Sequence, residues 1–152
     1  GDALRRHLGV CLDLCHAAVE FEDPADCLAA LAAADIRIGK MQVTAGLRIP
    51  RVTPGAVAAL RALGDDVYLH QVGERGAQGL RRYADIDLAC NADRWRAADC
   101  EWRVHFHVPV FLEELDGFAS TQDFVRAALT ALRTKHGSSC IERSLPASHR
   151  AS

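Results

Sequence analysis

The chain carries no strong charge of either sign. Its 18 Lys and Arg stand against 20 Asp and Glu in 152 residues, a net charge of −2. No global field therefore draws it to nucleic acid or to an anionic membrane, and there is no basic cluster of the kind a DNA-facing surface needs. No apolar run approaches the roughly 18 residues of a membrane-spanning helix, so the chain is not expected to be membrane-embedded. Residues 1–8 are largely polar, include Arg5 and Arg6, and lack the apolar core of a secretory leader. The six cysteines, Cys11, Cys15, Cys27, Cys90, Cys100 and Cys140, form no CxxC pair. They read as reduced, buried thiols of a cytoplasmic protein. Methionine is nearly absent: Met41 is the only one, and position 1 is Gly. The chain thus reads as a fragment, a processed product or a partial reading frame.

What is present is ordinary globular material, 49% apolar and 25% charged, enough for one domain or a piece of a larger one. Gly9–Asp13 predicts a buried strand. Asp23-Pro24 gives an N-cap and a proline at the first helical position, opening a helix over Ala25–Ala34. Ile36–Val43 predicts the next strand, making a strand-helix-strand unit with a parallel pair. Arg48–Val52 reads as a connection. Thr53-Pro54 opens a second helix over Gly55–Leu63, with Gly64 as its stop. Val67–Val72 predicts a strand, and the glycine-rich Gly73–Gly79 a loop. That loop lacks the Lys-Ser/Thr of a phosphate-binding loop. Leu88–Arg96 reads as helical, Trp102–Phe111 as a strand, and Gln122–Lys135 as a last helix capped by Ser120 or Thr121. From Gly137 onward periodicity decays into a frayed tail.

Chemistry-bearing residues concentrate in two places. The strand Gly9-Val10-Cys11-Leu12-Asp13 ends on an acid, with His16 three residues later. Asp13 and His16 are either ligands of one divalent ion, or a helix cap and a backbone-bonded histidine. His105 and His107 are two apart on a strand, so their imidazoles share one face while Val104, Phe106 and Val108 take the other. That pair is either a second ligand set or the polar side of a half-exposed strand. Lys40 and Gln42 alternate at a strand end and suit an anionic or hydroxyl-rich ligand as well as plain solvent. His70 follows Val67-Tyr68-Leu69 and by itself reads as structural.

Four segments, in this order, carry a resemblance. They are Asp13-Leu-Cys-His-Ala-Ala-Val-Glu-Phe-Glu-Asp23, Ile38-Gly-Lys-Met-Gln42, Tyr68-Leu-His-Gln-Val72 and Trp102-Arg-Val-His-Phe-His-Val-Pro109. Together they resemble the xylose-isomerase-like TIM barrel superfamily, which includes sugar-phosphate isomerases and epimerases and endonuclease IV. The nearest branch is the EboE-type metabolite traffic proteins. The resemblance implies an α/β fold, the C-terminal portion of a (β/α)8 TIM barrel over residues 1–136, with parallel strands alternating with helices and an aberrant or disordered tail over 137–152. A complete barrel takes about 250 residues, so this chain would begin near the sixth strand and expose open sheet edges through which copies associate. The resemblance further implies a divalent metal (Zn, Mn or Mg) held by Asp13, His16, His105 and His107. The first residue of the later pair is His here, where the family usually has Asp. Lys40, Gln42 and His70 would bind substrate. The implied activity is metal-dependent isomerisation or epimerisation of a small polar metabolite. The alternatives are a non-catalytic metabolite-binding or transport accessory, with a membrane-protein partner in the same pathway, and endonuclease IV-like phosphodiester cleavage. The tail's Glu142 is a poor match for the family's last ligand.

Overall fold

Asp13 both closes the first strand and starts the first helix. Its backbone is extended (φ −95°, ψ 112°), and its side chain accepts hydrogen bonds from the Cys15 and His16 amides. Two of the helix's orphan donors are thereby satisfied, which makes a short helix viable. In the computed structural model, which describes residues 7–63, 69–97 and 99–135, β1 (Val10–Asp13) runs straight into α1 (Leu14–Val19). α2 (Pro24–Ala33) follows, capped by the Asp23 carboxylate with Pro24 in its first turn. β2 (Ile38–Gln42) then pairs parallel with β1, from Val10↔Ile38 to Asp13↔Gln42. The expected strand-helix-strand unit is present.

Beyond β2 the architecture departs from the expected barrel. β3 (Ala45–Ile49), β4 (Val72–Gly76), β5 (Gly79–Tyr83), β6 (Cys100–Val108), β7 (Glu114–Leu115) and β8 (Phe118–Ser120) form one sheet in the order β5-β4-β6-β3-β8-β7. Every pairing in it is antiparallel. The fold is mixed α/β, a six-stranded antiparallel sheet plus a two-stranded parallel one, and not part of a parallel (β/α)8 barrel. Two misread segments explain the difference. The stretch over 73–79 is not a loop: β4 continues through Gly76, turns at Ala77-Gln78, and returns as β5 from Gly79, whose φ of +92° suits only glycine. The stretch from Arg48 is not merely a connection: β3 lies inside the sheet, with Leu47 and Ile49 buried. Without a parallel barrel, self-association through open barrel edges loses its stated basis. The edges of the large sheet are β5 and β7.

The helices cover both faces. On β6 the even positions Trp102, Val104 and Val108 are buried in the core. Trp95, in the 3-10 turn Arg94–Arg96, packs edge-on against Trp102 at 6.5 Å. α3 (Pro54–Leu63) packs on α4 (Ile86–Asn91), and Leu60 is fully buried. The odd positions Glu101, Arg103, His105 and His107 take the opposite face, beneath α1: Arg103 donates to the Ala18 carbonyl at 2.9 Å. α5 (Gln122–Lys135) spans the predicted residues and packs on α1 and α2. Gly64, residues 67 and 68 of the expected 67–72 strand, and the tail with Glu142 lie outside the described residues; Leu69, His70 and Gln71 are not strand, which begins only at Val72. Among the described residues no helix is long and apolar enough to cross a membrane.

Candidate metal centre

Period-two alternation along β6 puts His105 and His107 on one face, and their Nε2 atoms are 3.2 Å apart. α1 is laid across this face, so its first turn brings Cys15 against them. The approach needs a missing side chain below: a Cβ added at Gly46 would lie 3.2 Å from Cys15 Sγ. Cys15 is fully buried, His105 half-buried and His107 exposed. The donor atoms of Cys15, His105 and His107 all lie within 4.8 Å of one another.

Asp13 stands beside this triad and serves both of its expected readings at once. Oδ1 caps α1, at 3.0 Å from the Cys15 amide and 3.3 Å from the His16 amide. Oδ2 lies 3.8 Å from His105 Nε2 and accepts from Gln42 Nε2 at 2.8 Å. The parallel register that pairs Asp13 with Gln42 makes that bond. His16 is exposed, its ring edge-on to His105 with centroids 5.4 Å apart. Of the four residues expected to hold a metal, His105 and His107 join Cys15 in the triad, while Asp13 and His16 stand beside His105, on a scaffold unlike the one expected.

The electrostatics divide the donors. Burial lowers the His105 pKa; the Asp13 carboxylate opposes this, while His107, His16 and His70 reinforce it. His105 is thus neutral near pH 7 and keeps a lone pair to give. Burial, with Asp13 adding to it, pushes the Cys15 thiol up to about 12. Without a cation the thiol keeps its proton, so Cys15 needs an ion to become a thiolate ligand.

The substrate-binding candidates do not assemble in the expected way. Gln42 is occupied in orienting Asp13. Lys40 is exposed, opposite Cys11 and two register pairs back from Asp13. His70 is buried and stacks on Phe106 at 5.3 Å, on the strand position that alternates with His105; its amide bonds to Asp85. Cys15 is the residue that sequence reasoning missed as a donor. The signal was its place between Asp13 and His16, where the first turn of a capped helix must face whatever Asp13 faces.

Comparison with protein-family models, with curated proteins and with solved structures gave no match. What the chain does is therefore read from its own side chains.

Proposed function

We propose that this chain binds one divalent transition-metal ion through Cys15, His105 and His107, with Asp13 as a fourth donor. The observation that carries the reading is the 3.2 Å separation of the two histidine Nε2 atoms. Two nitrogens each about 2.0–2.1 Å from a tetrahedral zinc lie about 3.3–3.4 Å apart. A thiol with two imidazoles favours zinc over the manganese or magnesium also expected, since Mn and Mg prefer oxygen donors. The Gln42–Asp13 bond supplies the outer-shell support that orients ligating carboxylates in metal sites.

The exposed His107 and His16 leave one side of the site facing solvent. An ion with such a side can polarise a carbonyl or hold vicinal hydroxyls of a small polar metabolite. Isomerisation or epimerisation, as implied by the resemblance to the xylose-isomerase-like proteins, is one chemistry this permits. His16, at the open side, is the group placed to exchange a proton with a bound molecule. The non-catalytic alternative, metabolite binding without turnover, uses the same donors. Phosphodiester cleavage of DNA has less support, because a sequence of net charge −2 with no basic cluster does not favour a duplex.

Equilibrium dialysis of the metal-stripped protein against zinc at neutral pH tests the reading. One zinc retained per chain, lost in His105→Ala, is expected; no retained zinc in the parent protein would sink it.

A further inference from the structure

The opposite face of β6 carries a second set of polar groups without an assigned role. Across the β4–β5 hairpin, Glu74 pairs directly with Arg81. Both line a cavity of about 340 Å³, with Gln78 and Cys100, and Arg94 stands at its rim on the turn that Trp95 anchors. The volume is at the small end of the range for ligand sites. Glu74 is buried, at 7% exposure, and its Oε2 accepts from Trp102 Nε1 at 2.9 Å. No donor bonds its Oε1 among the described residues. The Tyr83 hydroxyl is buried close to this carboxylate and interacts with it without closing a full hydrogen bond. Arg94 donates only to the Gln78 side chain, at 2.5 Å, and neither Arg81 nor Arg94 closes an ion pair among the described residues. Buried carboxylates are normally fully paired, so one cavity brings together an unmet oxygen of buried Glu74 and two guanidinium groups without carboxylate partners among the described residues, half-exposed Arg81 and exposed Arg94.

We propose that this cavity binds a small hydroxy acid. Two guanidinium groups against one carboxylate leave the site one positive charge in excess, which a monoanion neutralises. Guanidinium groups are the side chains best matched to a carboxylate. Glu74 Oε1 needs a donor, and a hydroxyl on the same molecule provides it. The site is separate from the candidate metal centre, because Cys100 and Trp102 alternate with His105 and His107 along β6.

Trp102 bonds Glu74 and Trp95 adjoins Arg94, both of which line the cavity, so tryptophan fluorescence reports occupancy. Titrations would use glycerate, acetate and inorganic phosphate, with the parent protein, Arg81→Gln and Arg94→Gln, the fold of each variant being checked by circular dichroism. Saturable glycerate binding is expected, weakened about tenfold or more in either variant. Acetate, which has no hydroxyl for Glu74, should bind about tenfold more weakly than glycerate. No saturable glycerate response, or one unchanged in both folded variants, would overturn the proposal. Phosphate binding as tightly as glycerate would also overturn it, leaving only a general anion site.

Discussion

Replacing Gly73 with alanine should unlock α1 from the sheet. Gly73 sits within β4, between Arg82 of β5 and Arg103 of β6, on the face beneath α1. An added Cβ would fall on the Val19 carbonyl, far inside the 3.0 Å that real Cβ atoms keep, and 3.2 Å from the Phe21 ring. Neither obstacle yields easily. The carbonyl is backbone at the C-terminal end of α1. The Phe21 ring is held by the Arg75 and Arg103 guanidinium groups, 4.4 and 4.2 Å from its centroid. Relief therefore requires α1 to move by about 1 Å, which places the cost at the upper end of overpacking, about 3 kcal/mol. For a domain of this size that lowers Tm by about 6–12 °C. Gly55→Ala is the control: the atom nearest its added Cβ is Thr53 Oγ1 at 4.0 Å, within a helix. There alanine should stabilise by about 0.4–1 kcal/mol, raising Tm by roughly 1–4 °C. Thermal melts followed by circular dichroism decide the matter. A Gly73→Ala melt within about 1 °C of the parent would refute the tight docking of α1.

Two further outcomes follow from charges on the α1 face. Glu101 accepts from Arg48 and Arg103 Nε, each at 2.9 Å, and from Arg75 at 3.4 Å. Burial alone would raise its pKa, but the hydrogen bonds and charges of Arg103 and Arg48 prevail and hold it below the usual 4.5. Its stabilisation is therefore present above pH 4.5 and is lost as pH falls below that value through the depressed folded pKa. Urea unfolding at descending pH should show this acid loss in the parent and a shallower one in Glu101→Gln; equal slopes would refute it. Asp13→Asn keeps an equally good helix cap but removes the charge facing His105. Its Tm should stay within about 2 °C of the parent, while zinc affinity in a competition titration falls about 10-fold or more. Unchanged affinity with unchanged Tm would make Asp13 a cap alone.

Local chemistry was legible in the sequence where a residue acts on its neighbours. Asp23-Pro24 and Thr53-Pro54 announced their helices because a cap and a fixed φ are local events. Alternation along β6 put His105 and His107 on one face for the same reason. Strand direction was not legible, because it depends on distant partners. Arg48 and the glycines of 73–79 carry composition typical of connections, yet β3 is interior and β4–β5 is a hairpin. Here pairing with β6 overrides local propensity. The resemblance to barrel proteins concerned the short segments that hold donors, and these came together without the barrel. Cys15 was masked by its own burial: a thiol in the core reads as a small hydrophobe until the sheet beneath it is seen to carry two imidazoles.

Cobalt(II) titration of the metal-stripped protein tests the central claim most directly, because a cobalt–thiolate bond absorbs by charge transfer in the near ultraviolet. The parent protein should develop that band to saturation at one cobalt per chain, and added zinc should abolish it. Cys15→Ser should still fold but lack the band. An absent band in the parent, or an equal one in Cys15→Ser, would contradict a centre built on Cys15, His105 and His107.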